Sequence, residues 1–243
     1  MLFSALSVIF LWLAWIIAYA LVGNEYVLPS FWETVKEFGR LLIEVSFWRA
    51  FGNTLLRTLW AFAFSLVLGV GLALLASLHE AVRAVFAPII SLLRTVPTMA
   101  IILMLLIWTN PRVAPVIVSL LVLFPSVYAA TLAAVDEVGE NYGELAKAYG
   151  VSVKRKIFKM YLPLAAPSVL KQSGAIFSMG LKITISGEVL SQTFRSLGGM
   201  MQQAQTYLDI PRLLALTILA VVLGFLLEGL CALAYKLVVR WRS

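Results

Sequence analysis

The chain has 243 residues, of which 62% are hydrophobic and only 13% are charged, and its formal net charge is +7. A soluble domain carries roughly a quarter charged residues, so this composition is that of a membrane protein with several spanning helices and little soluble mass. No run of lysine and arginine is long enough to indicate nucleic-acid binding, and the single Cys231 and single His79 argue against a disulfide framework, a metal cluster or a Ser-His site.

The first two elements are an apolar segment and an amphipathic one. Residues 3–22 are apolar and about long enough to cross a bilayer. Ala18-Tyr19-Ala20 resembles a signal-peptidase site, but the segment has no positive n-region, which favours an uncleaved first span. Over residues 30–47, apolar side chains recur at helical spacing among charged ones, which predicts an amphipathic helix at the periplasmic interface. A solvated connector with one or two helical turns is the alternative.

Five more apolar segments follow and predict an all-α, polytopic membrane protein with six transmembrane helices. The short stretch 79–87 is predicted to be a polar turn, and residues 191–210 a polar connector with a flexible turn at Ser196–Gly199. The last span runs into an aromatic and basic anchor of the kind found at a cytoplasmic boundary, at Lys236, Arg240, Trp241 and Arg242. The six predicted spans cover residues 3–22, 51–78, 88–108, 112–135, 164–190 and 212–239.

The third span is interrupted by Arg94-Thr95-Val96-Pro97-Thr98. Proline removes a backbone donor and kinks a helix, and the freed carbonyls must be satisfied by neighbours or water. If the break faces a pathway, Arg94, Thr95, Pro97 and Thr98 line the translocation path. A purely structural kink is the alternative.

Ionisable groups inside a bilayer are costly and often mark a pathway. Arg94 and Lys182 would suit an anionic substrate if they faced a translocation cavity, and Glu188 at the far end of the fifth span is a third candidate. The structural alternative is that Lys182 pairs with Glu188, almost two turns along the same face, or with another span. Arg57 and Lys171 are assigned to the membrane interface.

The most densely charged stretch is residues 136–163. Six spans place it on the same side as both termini, and the bias of lysine and arginine toward that side predicts that all three are cytoplasmic. Its pattern predicts two short amphipathic helices, joined at Gly150 as a left-handed cap, with Ser152 as the N-cap of the second helix. The apolar face of the first comprises Val138, Tyr142, Leu145 and Tyr149. A solvated loop whose basic face binds anionic lipid is the alternative.

The spacing of this stretch resembles the cytoplasmic EAA loop of bacterial ABC-importer permeases, on which an ATPase subunit docks. That pattern requires a glutamate, small residues, a glycine six positions later and a final Leu-Pro, and Leu145 and Met160 depart mildly from it. Further similarity to the nitrate/sulfonate/taurine-type permeases lies at Leu28-Pro29-Ser30, at the Pro97 break and at Gly187-Glu188, and covers about residues 28–228. The pattern itself is met by Glu144, Ala146, Gly150, Leu162 and Pro163.

The resemblance implies a type I ABC-importer permease fold in a prokaryotic inner membrane. It implies a second permease copy forming a homodimer, two ATP-binding cassette ATPase subunits and an extracytoplasmic solute-binding protein. The chain shows no G-x-x-x-x-G-K-[ST] phosphate loop, so it is not expected to hydrolyse ATP. The resemblance implies a transport subunit that is no enzyme and has no cofactor of its own, with ATP and Mg bound by the partner ATPase. The implied ATPase-coupling residues are Glu144, Leu145, Ala146, Tyr149, Gly150, Val151, Ser152, Lys154, Leu162 and Pro163.

The cargo is left open by these residues. A small organic or inorganic anion such as a sulfonate, nitrate or carboxylate is favoured. A vitamin or pyrimidine precursor carried by the same importer class is the alternative, and a secondary carrier or channel is a more distant one.

Overall fold

The computed structural model describes residues 2–25 and 27–238, and every regular element within them is helical, which confirms the all-α prediction. The basic anchor at Arg240–Arg242 lies outside the described residues. The helices are α1 Leu2–Val22, α2 Phe31–Ile43, α3 Val45–Leu78, α4 Glu80–Thr95, α5 Thr98–Trp108, α6 Ala114–Ala148, α7 Val153–Lys156, a π-helix Ile157–Tyr161, α8 Leu162–Leu190, α9 Leu197–Thr206 and α10 Ile210–Val238.

Within the described residues, three helices are long and apolar enough to cross a membrane: α3, α6 and α10 over Ile210–Leu237. Helices α4 and α5 pass that test only as a pair, and they are bent by 95° at Val96–Pro97, where Pro97 is the N-cap of α5. The third predicted span is therefore interrupted, as in a broken span or a re-entrant loop. Helix α1 contributes a shorter apolar stretch, Trp12–Val22. The described chain therefore holds three or four candidate spans, and the count of six stays a prediction.

Three predicted boundaries are wrong, because apolar runs locate the membrane-buried part of a helix and not its ends. Helix α4 already begins at Glu80, an acidic first-turn residue that complements the helix dipole, so residues 80–87 form no turn. Helix α3 begins at Val45, separated from α2 by Glu44 alone. Residues 197–206 form α9, because the Ser196 hydroxyl caps it by accepting a hydrogen bond from the Gly199 amide at 2.9 Å.

The centre of the fold is formed by α3, α6 and α8. Ser65 of α3 contacts Leu120 of α6, and Leu74 further along packs near Ala134, so α3 and α6 run parallel. Helix α8 runs the other way, since its Thr184 forms a 2.8 Å hydrogen bond with Ser119 near the start of α6. The bundle thus has a loop end, which carries residues 136–163, and an opposite end, where α3 and α6 begin and α8 finishes.

Candidate functional site

Helix α6 extends far beyond the thickness of a bilayer. Its 35 residues, from Ala114 to Ala148, give a length of about 52 Å, whereas the hydrocarbon core is about 30 Å thick. The charged residues 136–148 are therefore the projecting end of a membrane helix. The prediction of a separate first short helix is wrong, because the helical hydrogen bonding continues without a break through Asp136.

The projecting helix ends in a glycine cap. Gly150 has a φ of +60°, its amide donates to the Lys147 carbonyl at 3.0 Å, and the Val151 amide donates to the Ala146 carbonyl at 3.0 Å. This pair of bonds is a Schellman motif, in which the residue after the C-cap is left-handed and is usually glycine. The predicted role of Gly150 as a left-handed cap is thus confirmed, and the cap fixes the direction in which the chain leaves α6.

The chain beyond the cap is one continuous helical path into α8. Ser152 has the extended backbone of an N-cap, but among the described residues only its carbonyl is engaged, accepting from the Lys156 amide at 2.9 Å. A π-helical turn over Ile157–Tyr161 precedes Pro163, which lies in the first turn of α8. Proline has no N–H and its ring crowds the carbonyl four residues earlier, and the widened turn accommodates it. Pro163 therefore lies in the first turn of α8 instead of ending a loop helix.

The apolar stripe of the α6 end is buried only at its membrane-proximal start. Val138 is buried against Tyr161 and Ala165, whereas Leu145 is 59% exposed and Tyr149 is 79% exposed. These side chains border a groove of about 340 Å³ between the end of α6 and the chain that returns to α8. We call it the coupling groove. Its walls are Tyr142, Leu145, Ala146, Tyr149, Val151, Arg155, Lys159, Met160 and Leu164.

Four of the ten predicted coupling residues line this groove, namely Leu145, Ala146, Tyr149 and Val151, and the other six do not. Ala146 is buried in its wall, and Glu144 and Lys154 are exposed. Lys156 does not point into the groove but lies 4.9 Å from the centre of the Tyr161 ring. The surface is therefore apolar at its centre and charged at its rim, which is the usual composition of a protein-docking site.

At the opposite end of the bundle, Glu188 is fully buried and holds three helices together. Its carboxylate accepts hydrogen bonds from the Thr54 hydroxyl at 2.8 Å, from the Arg57 guanidinium at 2.8 Å and from the Gly198 amide at 3.2 Å. The Leu197 amide in turn donates to the Thr54 hydroxyl at 3.0 Å. The network joins α3, α8 and the start of α9.

Three sequence predictions fail at this network. Arg57 does not lie at the interface but forms the ion pair with Glu188, and its side chain is only 16% exposed. Lys182 does not pair with Glu188, because six residues at 100° each place the two side chains about 120° apart around α8. The predicted flexible turn at Ser196–Gly199 is also wrong. A Cβ on Gly198 would lie 2.4 Å from the Glu188 Cβ, so glycine serves close packing there.

The candidate charges of the translocation path are not brought together. Lys182 lines an apolar cavity of about 290 Å³ between α8, α9 and α10, to which Glu228 also contributes. Arg94 is exposed in the last turn of α4, and the neighbouring Thr95 hydroxyl donates to the Leu92 carbonyl at 3.0 Å. Pro97 is exposed at the 95° bend, and Thr98 begins α5. Whether any of these residues lines a path stays a prediction.

The described chain is all-helical and holds three or four candidate membrane spans. One of them, α6, continues into a capped helix end beside an exposed groove. Residues 65–240 match the family described as "Binding-protein-dependent transport system inner membrane component". Because the match covers more than half of the chain, the protein belongs to this family, the inner-membrane permease subunits of ABC importers. It is the transmembrane subunit and not the ATPase.

Individual relatives are distant. The chain is 27% identical to the taurine transport permease TauC of Escherichia coli K12 over 80% of this chain and 71% of that one. It is 24% identical to the aliphatic-sulfonate transport permease SsuC of Bacillus subtilis 168, covering 91% and 80%. It is also 24% identical to the formylaminopyrimidine transport permease ThiX of Halalkalibacterium halodurans, covering 94% and 91%.

Two solved structures share the fold. One is a crystal structure of an amino acid ABC transporter with histidines, with a TM-score of 0.68 at 19% identity over 85% of this chain and 98% of that one. The other is an inward-facing MetNI methionine ABC transporter, with a TM-score of 0.61 at 18% identity over 86% and 98%. The family and the fold together exclude the secondary-carrier and channel alternatives.

Proposed function

We propose that this permease forms the translocation path for a small solute delivered by an extracytoplasmic binding protein, and that an ATPase subunit drives it by docking in the coupling groove. In this proposal six helices cross the membrane, both termini and residues 136–163 are cytoplasmic, and two identical copies pair on two ATPase subunits. ATP and Mg are bound by those ATPase subunits.

The observation that carries the proposal is the coupling groove. Large apolar side chains such as Tyr149 and Leu145 are uncovered on the end of α6. The length of α6 supports a position of this end beyond the membrane, because the helix is longer than the hydrocarbon core is thick. Lipid tails cannot cover them there, and contiguous exposed apolar surface marks a site of protein association. The basic rim formed by Arg155 and Lys159 adds attraction for an acidic partner surface.

The groove is connected to the membrane core through stiff elements. One wall is the unbroken helix α6, and the other continues through the π-turn into α8. If the ATPase pair displaced the groove, α6 and α8 would therefore move as rigid bodies and would not unfold locally. Since α6 and α8 are both packed against α3, the movement would reach the centre of the bundle.

Substitution of Gly150 tests the coupling role. Gly150→Pro cannot adopt a φ of +60° and loses the amide that bonds Lys147, so the cap is destroyed and the exit direction of the chain changes. We expect ATP-dependent uptake to fall at least about tenfold while the amount of membrane-inserted permease stays the same. Gly71→Ala, at an open position on α3, is the matched control. Wild-type uptake and wild-type ATPase stimulation in Gly150→Pro would refute the coupling role.

The solute class is proposed from the relatives. TauC is named for taurine and SsuC for aliphatic sulfonates, and the anionic sulfonate group that these solutes share supports the sulfonate class. ThiX, named for formylaminopyrimidine and matched over nearly its whole length, supports the alternative of a pyrimidine precursor. An uptake assay with ethanesulfonate and with an uncharged pyrimidine as competitors distinguishes the two solute classes, because only the competitor of the correct class should reduce uptake.

A further inference from the structure

A wide cavity lies at the opposite end from the coupling groove. It has a volume of about 860 Å³ and lies between the first turns of α3, the connection from α8 to α9, and α9 itself. A volume of this size is that of a small-molecule site. Amide and hydroxyl side chains contribute to its wall beside apolar ones, among them Ser46, Asn53, Gln202, Phe194, Leu56 and Met200.

The cavity carries an excess of positive charge. Three arginines and one glutamate line it, and the glutamate, Glu44, is bound by Arg212 at 2.9 Å. Arg212 also binds Glu37 of α2 at 3.0 Å, so its charge is already offset. Within the described part of the chain, Arg49 and Arg195 form no ion pair. Both side chains are exposed, and the Arg195 guanidinium lies 5.4 Å from the centre of the Phe194 ring, so the cavity has two guanidinium groups that no carboxylate of the described residues neutralises.

Arg195 is held in place by its surroundings. Its backbone is left-handed, with a φ of +53°, a conformation that costs a non-glycine residue about 1 kcal/mol or more. Its carbonyl accepts a hydrogen bond from the Asn53 side-chain amide of α3 at 2.9 Å. On either side, Thr193 donates to the Pro111 carbonyl at 2.6 Å, and the Ser196 hydroxyl donates to the Thr193 carbonyl at 2.8 Å. The loop that carries Arg195 is thus fixed to α3 and to the start of α6.

We propose that this cavity binds a small organic monoanion, with its acidic group between Arg49 and Arg195 and its short body against Phe194, Leu56 and the Gln202 amide. Guanidinium groups bind carboxylate and sulfonate oxygens with paired hydrogen bonds. The inference rests on the proposed function, because the cavity is the entry site for the solute only if this end of the bundle faces the binding protein. In this proposal the charges that select for an anion belong to Arg49 and Arg195, and not to Arg94 and Lys182 as the sequence predicted.

A binding measurement on the full chain in lipid nanodiscs, without ATPase, tests the site. The probes are ethanesulfonate and its uncharged isostere ethanesulfonamide, titrated calorimetrically at constant ionic strength. We expect the sulfonate to bind and the sulfonamide not to bind. Arg49→Gln and Arg195→Gln should each weaken sulfonate binding at least about tenfold, because each removes a charge-assisted hydrogen bond. Arg195→Lys should restore part of the loss.

Arg112→Gln is the matched control, because Arg112 is an exposed arginine at the same end that does not line the cavity. Unchanged sulfonate affinity in Arg49→Gln and Arg195→Gln, or equal binding of the sulfonamide, would overturn the proposal. The proposal would also be overturned if these variants kept their sulfonate affinity but no longer bound the solute-binding protein. The two arginines would then be part of a docking surface for that protein. A separate measurement of ATPase binding to the same nanodiscs distinguishes the cavity proposal from the coupling-groove proposal. If the ATPase binds but the sulfonate does not, only the cavity proposal is refuted.

Discussion

Replacing Glu188 by alanine should destabilise the permease more than any other single loss of a charge within its bundle. The variant removes the acceptor for Thr54, Arg57 and the Gly198 amide, and it leaves the guanidinium of Arg57, 16% exposed, without its carboxylate. Breaking a buried ion pair by removing one partner costs about 3–5 kcal/mol. For a chain of this size each kcal/mol corresponds to about 2–4 °C, so the melting temperature should fall by about 6–20 °C.

The assay is thermal unfolding of the purified permease in detergent, followed by size-exclusion recovery after heating. Glu228→Ala is the matched control, since Glu228 is a half-buried glutamate of α10 with no ion pair among the described residues. Its melting temperature should change by less than about 3 °C. A double replacement of Arg57 and Glu188 by leucine should recover much of the loss, because no charge is then left unpaired. If the melting temperature of Glu188→Ala equals that of the wild type, the buried network around Glu188 does not stabilise the fold.

Three further substitutions follow from single contacts. Gly198→Ala would place its Cβ 2.5 Å from the Ile185 carbonyl oxygen, so we expect a loss of at least about 1–3 kcal/mol in thermal unfolding, whereas Gly52→Ala, with open space around it, should cost little. Arg83 and Asp136 join α4 to α6 at the loop end, but both are more than a third exposed, and a double-mutant cycle should give a coupling energy of only about 0.2–1 kcal/mol. Arg212→Met should loosen α2, because it removes the arginine that bridges Glu37 and Glu44 and leaves Glu37 with Arg40 of its own helix. Limited proteolysis should then cleave near residue 44 faster than in the wild type.

The helical class and the cap at Gly150 were predictable because each depends on local sequence. An apolar run fixes the position of a membrane helix, and a glycine that follows a helical stripe of Val138, Tyr142 and Tyr149 indicates a left-handed end. The same local logic failed where one helix continued past its apolar part. Helix α6 does not stop at Asp136, because charged residues with good helix propensity prolong a helix that is already nucleated.

The buried charges were not predictable in their pairing. Glu188 and Arg57 are 131 positions apart in sequence, and a single sequence does not say which helices are neighbours. One signal was available: Thr54 and Arg57 lie three residues apart and so share a helix face, which pointed into the bundle instead of toward the interface. The cavity arginines were missed for a similar reason, because Arg49 and Arg195 are far apart in sequence and line the same cavity only through the loop between α8 and α9.

Site-specific photo-cross-linking at Tyr149 tests the coupling account most directly. A photoreactive amino acid at position 149, on the exposed wall of the coupling groove, should yield one major adduct, with a subunit that carries a G-x-x-x-x-G-K-[ST] phosphate loop. The same probe at Arg112, exposed at the opposite end of the bundle, should give no such adduct. A 149 adduct with lipid alone, or an ATPase adduct from position 112, would contradict the assignment of residues 136–163 as the surface that drives the importer.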